Sequence, residues 1–135
     1  MNLNINTPIA FFDLEATGIN ISTDRIVEIS IVKVHPGGKE EIKTMTINPT
    51  IPIPLESSLI HGIYDKDVKD APTFKDASKE LHQFFAGADL AGFNVLKYDI
   101  PLLVEEFLRA GIDFDIEKRN LLDAQKIFHL MEKRN

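Results

Sequence analysis

Cysteine is missing from the sequence, which excludes a disulfide framework and any site that depends on a thiolate ligand or nucleophile. Long apolar runs are missing as well, and none of the existing ones approaches the roughly 20 residues that a membrane-spanning helix needs. The N-terminus has no basic stretch followed by a long apolar core, so it predicts no signal peptide. We therefore expect a cytoplasmic protein without a membrane partner.

The sequence has fewer basic than acidic residues, with 15 Lys and Arg and 21 Asp and Glu, which gives a formal net charge of −6. Neutralising phosphates takes Lys and Arg, so this balance argues against a protein that holds nucleic acid by bulk electrostatics. It leaves open an enzyme that holds only a strand end, since bound divalent cations would offset several carboxylates locally. Such an enzyme would bind weakly and would rely on a partner for tight engagement.

The remaining composition is that of one globular domain. The 135 residues are 44% hydrophobic and 27% charged, which is enough for one core and too little for two domains. The sequence contains no repeats and no low-complexity segments. We therefore expect residues 1–135 to form a single domain.

The first half of the chain has the pattern of three strands, at residues 9–14, 25–34 and 41–47. The second strand has the strongest signal and is apolar on both faces: Val27, Ile29 and Ile31 on one, and Ile26, Val32 and Val34 on the other. A strand of this kind is usually central in its sheet and covered on both sides.

The second half has the pattern of helices separated by short strands. Thr73 predicts a capping box at the start of one helix, and Gly111 predicts the end of another. The apolar stripes of these two helices are Phe74, Ala77, Leu81, Phe84 and Phe85, then Ile100, Leu103, Val104, Phe107 and Leu108. Short strands are predicted at residues 89–92 and 120–122, and a further helix from residue 124. This order of elements predicts an α/β fold with a mixed sheet flanked by helices.

An acidic pair, Asp13 and Glu15, stands at the end of the first predicted strand. Positions i and i+2 of a strand point to the same side, so the two carboxylates project together. They repel each other unless something compensates, and a divalent cation such as Mg²⁺ or Mn²⁺ prefers oxygen ligands of this kind. The alternative is that one residue caps a turn while the other is solvated.

Asp99 is a candidate for a third carboxylate in the same cluster. It follows the predicted strand at residues 89–92 and stands at the start of the next helix. The alternative is equally strong, because Asp is a favoured helix N-cap and Pro101 suits the first helical turn. Three carboxylates with two metal ions suit phosphodiester hydrolysis, in which a general base, commonly a histidine, takes a proton from water.

Three segments together resemble the DEDD exonuclease superfamily. FFDLEATG resembles its first motif, and GFNVLKYDIPLL resembles its second. Between them, LIHGIYDKDVKDAPTF is similar to a segment of the DEDDh-type subgroup that contains the epsilon proofreading subunit of bacterial DNA polymerase III. The resemblance covers almost the whole chain. It implies a ribonuclease-H-like fold and 3′–5′ exonuclease activity that depends on Mg²⁺ or Mn²⁺, with two ions in the complete enzyme.

The resemblance also implies roles for individual residues. Asp13, Glu15 and Asp99 would be the catalytic metal ligands. The residues that would contact the substrate are Thr17 and Gly18 beside the terminal nucleotide, Ile60 and His61 in the pocket for the 3′ end, and Asn94 and Tyr98 near Asp99. Two alternatives stay open, namely that His61 is a helix-end residue satisfied locally and that Tyr98 packs in the core. For Glu28 we expect a structural pairing, for instance with Arg25.

The third motif of this family is absent from the chain. In the family a His, the general base, is followed five residues later by an Asp, the fourth acid, on a C-terminal helix. Five residues after the four histidines of this chain stand Glu40, Lys66, Gly87 and Arg134. Asp123 we interpret as the cap of the following helix. The C-terminal helices are therefore expected to be missing, either by truncation or in a natural short form that has lost catalysis. Intact acids favour truncation, and the exposed surface would favour self-association.

We expect a metal-dependent 3′–5′ exonuclease domain that acts on single-stranded or frayed DNA 3′ ends in proofreading or repair. Its expected partner is a DNA polymerase subunit. This chain itself is expected to have little activity. One alternative is a non-catalytic module that binds nucleic acid or metal. Another is an RNA exonuclease of the oligoribonuclease or RNase T kind, because contacts to the 2′-hydroxyl decide between RNA and DNA. A third is an unrelated, metal-free interaction domain.

Overall fold

The computed structural model describes residues 6–123. The strands are β1 (Ile9–Ala16), β2 (Ile26–Val34), β3 (Glu40–Thr46), β4 (Asp89–Gly92) and β5 (Leu121–Asp123). The helices are α1 (Leu55–His61), α2 (Asp65–Val68), α3 (Phe74–Phe85) and α4 (Asp99–Arg109). All five predicted strands are present to within two residues at either end. The short helices α1 and α2 were not predicted, because seven and four residues are too few to show an apolar period.

The five strands form one mixed sheet in the order β3-β2-β1-β4-β5. β1 to β3 pair antiparallel, whereas β4 lies parallel to both β1 and β5. Parallel neighbours need crossover connections, which the helices supply. The predicted α/β fold, a mixed sheet flanked by helices, is therefore confirmed. β1 is the central strand, so its C-terminal end lies between segments that arrive from both halves of the chain.

The predicted faces of β2 are wrong at Ile26 and Val27. Ile26 is fully buried in the main core with Ile29, whereas Val27 packs in a smaller cluster with Ile53 and Val68. The reason is a shift of register in the pairing of β1 with β2. Glu15 lies opposite Glu28 and Ala16 opposite Ile26, so that Val27 is an extra residue. One extra residue in a strand exchanges the two faces beyond it.

The main core lies between the sheet and helices α3 and α4, and is rich in phenylalanine. Phe107 stacks on Phe114 with ring centroids 4.7 Å apart and meets Phe74 edge-on at 5.0 Å. Leu108, predicted in the core, is 54% exposed. The buried face of α4 includes Leu102 and Glu106 and is therefore turned away from Leu108.

The predicted helix boundaries are confirmed where the structure describes them. The Thr73 hydroxyl accepts the Asp76 N–H at 3.2 Å while the Asp76 carboxylate accepts the Thr73 N–H at 3.4 Å, which is the predicted capping box. Gly111 follows α4 with φ of +82°, a left-handed conformation that favours glycine at a helix end. The helix predicted from residue 124 lies outside the described residues. From residue 6 to residue 123, no helix is long and apolar enough to cross a membrane.

Candidate active site

The central strand β1 presents the acidic pair on the face opposite the main core. Phe12 and Leu14 are buried in the core, and they alternate with Asp13, which is exposed, and Glu15, which is partly buried. The predicted same-side arrangement of the two carboxylates is therefore present. The register shift of β2 falls beside Glu15, at the point where the two strands part and the following loop begins.

Asp99 joins this pair from the first position of α4. Burial, together with the charges of Asp13 and Glu15, raises the pKa of its carboxyl group to about 6, although a hydrogen bond from the Leu14 backbone acts in the opposite direction. The N-cap of α4 is Tyr98, and its side chain makes no capping hydrogen bond. Asp99 is thus a helix residue whose carboxyl group contacts β1, and its interpretation as an N-cap is wrong.

Glu15 also shares its surroundings with other charges. Burial raises the pKa of Glu15, and the charge of Asp13 and, more weakly, that of Glu28 add to the effect, while His61 acts in the opposite direction. Glu28 lies directly across the strand pair from Glu15. The expected pairing of Glu28 with Arg25 is wrong, because no ion pair joins these two described residues. Negative charge is therefore concentrated at this end of β1.

Helix α1 is held against the end of β1 by two side chains. The Ser57 hydroxyl donates to the Thr17 carbonyl at 2.6 Å, and Nε2 of His61 lies 3.1 Å from the Ala16 carbonyl. Nδ1 of His61 accepts the backbone N–H of Ile63 at 3.1 Å, so its proton is on Nε2, which donates to Ala16. His61 is thus satisfied locally while it lines the cleft. Both ring nitrogens are engaged, which leaves neither to act as a general base in this arrangement.

Thr17 and Asp24 organise the loop of residues 18–24. Thr17 is fully buried, and its hydroxyl donates to the Asp24 carboxylate at 2.8 Å and accepts the Arg25 N–H at 3.0 Å. A Cβ on Gly18 would lie 2.6 Å from the same carboxylate, so a larger residue there would have to displace Asp24 from these hydrogen bonds. The Asp24 carboxylate also accepts the N–H of Asn20 at 2.8 Å. Sequence reasoning missed Asp24, for which no spacing gives a signal.

A cleft of about 280 Å³ adjoins these groups. Of the residues proposed from the sequence, it is lined by Glu15, Gly18, Ile60, His61, Tyr98 and Asp99. Asp13, Thr17 and Asn94 do not line it. Asn94 has φ of +52° in the turn before α4, a conformation that asparagine tolerates, and is exposed. Tyr98 is 38% exposed, so the interpretation of Tyr98 as core packing is wrong.

The three carboxylates match a divalent cation in donor chemistry, since they are hard oxygen ligands held close enough to repel one another. They do not form a closed cage as they stand. In the described part of the chain, no group of three or more His, Asp or Glu side chains is arranged to hold a metal ion. A bound cation would offset the repulsion from Asp13 and Glu15 that, in addition to burial, raises the pKa of Asp99.

Gly92 connects the packing of β4 to the position of Asp13. A Cβ there would lie 2.8 Å from the Phe12 carbonyl and 3.2 Å from Val95. Gly92→Ala should therefore push β1 away and lower the free energy of unfolding by about 2 kcal/mol, as overpacked cores do. Gly38→Ala is the control, because its Cβ meets open space and only the positive φ costs about 1 kcal/mol. Urea unfolding checks both, and equal losses would contradict the steric argument.

Comparison with known proteins places the chain in a family. An exonuclease family model, RNase T, matches residues 10–132. The DNA polymerase III subunit epsilon-like protein of Rhodobacter capsulatus is 34% identical over 107 residues, which cover 77% of this chain and 15% of that protein. The uncharacterized exonuclease CP81 of Escherichia phage 186 is 33% identical over 105 residues, covering 78% of this chain and 52% of that protein.

The fold is shared with a solved exonuclease. E. coli exonuclease I in complex with a dT13 oligonucleotide superposes with a TM-score of 0.80 at 15% identity, covering 94% of this chain and 30% of that one. The ribonuclease-H-like fold implied by the resemblance is thereby confirmed. The chain spans about half or less of the length of each of these relatives. With its family model matched over residues 10–132, the chain belongs to the exonuclease family.

Proposed function

We propose that this chain is a metal-dependent 3′–5′ exonuclease domain that acts on DNA 3′ ends, of a proofreading or repair type. The observation that carries the proposal is the meeting of Asp13, Glu15 and Asp99 at the end of the central strand, where the pKa of Asp99 is raised to about 6. Carboxylates kept together at such a cost are typical of active sites. Membership of the exonuclease family and the polymerase III epsilon-like relative support the same function.

The cleft suits one end of a single strand. Ile19 and Ile60 are 79% and 85% exposed at its rim, and Tyr98 offers a partly exposed ring. Such side chains suit a nucleotide base, because every base has an apolar face. The net charge of −6 disfavours a long electrostatic footprint along a duplex. We therefore propose single-stranded or frayed 3′ ends as substrate, with a DNA polymerase subunit supplying tighter engagement.

Asp13, Glu15 and Asp99 would hold Mg²⁺ or Mn²⁺, two ions in the complete enzyme. When bound, divalent cations supply Lewis-acid activation of water and stabilise the leaving oxygen. The carboxylates must be ionised to serve as ligands, so the raised pKa of Asp99 couples cation binding to loss of a proton. Gly18, Ile60 and the ring of Tyr98 would orient the terminal nucleotide, and His61 would hold α1 in place beside it.

None of the histidines in residues 6–123 is free beside the cleft. His61 is engaged at both nitrogens, His35 contacts Glu41 at 2.6 Å, and the ring of His82 packs against Phe107 and Phe114. The full sequence also has no His that is followed five residues later by an Asp. We therefore propose that the general base and the fourth acid are supplied from outside this chain. Without them this chain would have little activity of its own, and we propose a cytoplasmic location for it. Self-association through its exposed apolar surface is part of the same proposal.

Release of mononucleotides from a 3′-labelled single-stranded DNA oligonucleotide with Mn²⁺ tests this proposal. The chain is compared with a form extended through the next stretch of its natural reading frame. We expect the extended form to cleave roughly 10²–10⁴-fold faster, which is the usual contribution of a general base. Asp13→Asn should abolish that activity, whereas Asp70→Asn, at an exposed position remote from the acids in sequence, should leave it unchanged.

The outcomes separate the alternatives. Cleavage that survives Asp13→Asn would contradict the metal site. Equal cleavage by both forms would show that the base lies within this chain. If neither form cleaves although both bind Mn²⁺, the chain is a binding module, an alternative that the engaged His61 favours. An RNA oligonucleotide of the same sequence, run in parallel, decides between DNA and RNA.

A further inference from the structure

The loop of residues 18–24 forms part of the cleft wall and is held from behind by helix α4. Its front residues, Gly18 to Ile21, line the cleft. Its rear carbonyls face Arg109, whose Nη2 donates to Ile21 and Ser22 at 2.9 and 3.0 Å and whose Nη1 donates to Asp24 at 3.0 Å. One guanidinium group, at the last position of α4, thus holds three carbonyls of the loop.

Glu106 holds Arg109 in turn. Its side chain is almost completely buried, and Oε1 accepts from Nη1 of Arg109 at 3.0 Å. Its other oxygen, Oε2, accepts the N–H of Ile26 at 2.9 Å, at the point where β2 shifts register beside Ala16. The pair therefore ties α4 both to the loop and to the first residue of the strand that follows it. Buried acceptors and donors of this kind are costly to leave unpaired.

Arginine suits this position better than lysine does. A planar guanidinium presents five N–H donors in a fixed fork and meets three carbonyls and a carboxylate at once. A lysine ammonium is a compact point charge that would reach only some of them. Neither Arg109 nor Glu106 lines the cleft. Their effect on a ligand must therefore pass through the loop.

We propose that Arg109, oriented by Glu106, is a positioning residue that sets the affinity for the terminal nucleotide by fixing the loop that lines the cleft. This inference rests on the proposed function, because it assigns the cleft to a nucleotide. It separates two tasks within one site. Asp13, Glu15 and Asp99 bind the cation, whereas the Arg109–Glu106 pair shapes the wall against which the nucleotide lies.

Binding of dTMP to the whole chain with Mn²⁺ present, measured by calorimetry, tests the inference. Arg109→Lys should raise the Kd for dTMP roughly tenfold, the loss expected for one or two charge-assisted hydrogen bonds, and Arg109→Ala should raise it further. The Kd for Mn²⁺ alone should stay within about twofold in Arg109→Lys, because no metal ligand is touched. Amide hydrogen exchange in residues 18–24 should accelerate while that in α3 does not.

Glu105→Gln is the matched control on the same helix. Its carboxylate lies 3.9 Å from Nε of Arg109 and is partly exposed, so its loss leaves the loop contacts in place and should leave both Kd values unchanged. An unchanged Kd for dTMP in Arg109→Lys and Arg109→Ala would overturn the inference, and so would parallel weakening of Mn²⁺ and dTMP in Arg109→Lys. If the wild-type chain bound neither Mn²⁺ nor dTMP, the proposed function would fail, and the inference with it.

Discussion

Asp99→Asn is expected to stabilise the metal-free chain near neutral pH and to remove its stabilisation by Mn²⁺. Burial and the charges of Asp13 and Glu15 raise the pKa of Asp99 from 3.8 to about 6, so its ionised form destabilises the fold. Asparagine keeps the shape and carries no charge. After allowance for solvent screening at this partly exposed group, we expect a gain of about 1–2 kcal/mol in the free energy of unfolding at about pH 7.5.

The pH dependence of this gain has a definite sign. The folded state binds the Asp99 proton more tightly than the unfolded state does, so wild-type stability falls as pH rises between 3.8 and about 6. The raised pKa of Glu15 acts in the same direction. In Asp99→Asn the part of this pH dependence that comes from the Asp99 carboxyl group is absent. The difference between the two proteins should therefore be small below about pH 4 and complete above about pH 6.5, as measured by urea unfolding in EDTA.

Mn²⁺ should reverse the ranking of the two proteins. A cation that binds only the folded state at 100 times its Kd stabilises that state by about 2.7 kcal/mol. The wild-type chain should show this stabilisation by Mn²⁺. Asp99→Asn should show only a small part of it, because one of the three carboxylate ligands is gone. Asp70→Asn, at an exposed position, should behave as wild type does. Equal gains from Mn²⁺ in Asp99→Asn and wild type would contradict a ligand role for Asp99.

A further result would favour a different class of protein. If Mn²⁺ left wild type unchanged while Asp99→Asn was more stable with and without Mn²⁺ alike, the carboxylates would merely repel each other. The result would then favour the alternative that the protein is a metal-free interaction domain. Loss of stability in Asp99→Asn at neutral pH in EDTA would show instead that the Leu14 hydrogen bond outweighs the repulsion.

Phe107→Ala is expected to cost about 4 kcal/mol of unfolding free energy, which is the usual range for a buried phenylalanine. Phe107 is fully buried, stacks on Phe114 at 4.7 Å and meets Phe74 and His82 edge-on at 5.0 and 5.8 Å. Truncation removes these ring contacts and leaves a cavity between α4 and α3. Because domains are stable by only about 5–15 kcal/mol, the variant should be marginal.

Leu108→Ala is the matched control for Phe107→Ala. It is the next residue of the same helix and is 54% exposed, so its truncation should cost less than about 1 kcal/mol. Urea unfolding measures both variants. Phe107 lies on α4, the helix that begins at Asp99. Loss of its packing should therefore loosen the position of the Asp99 carboxylate and weaken Mn²⁺ binding as well. Comparable losses in the two variants would contradict the assignment of Phe107 to the centre of the core.

Much of the fold follows from local pattern. The strands follow from runs of apolar and β-branched residues, and the start of α3 from the capping chemistry of Thr73 and Asp76. The same is true of the acidic pair, because the period of two along a strand places Asp13 and Glu15 on one side whatever surrounds them. The apolar pattern fails where a polar residue lies on the buried face of a helix. In α4 the buried face includes Glu106, so the pattern wrongly predicts that Leu108 is in the core.

Local sequence was enough to predict the succession of strands along the chain, the paired acids and the motifs that resemble an exonuclease, since all of these depend on neighbours within a few residues. Three features became visible in the folded chain alone: Asp99 reaches β1 instead of capping its helix, His61 is engaged at both nitrogens, and Arg109 holds the loop across 85 to 88 positions of sequence. Such contacts depend on how β4 and α4 pack beside β1. No local spacing encodes that packing, because it arises from burial summed over the whole core.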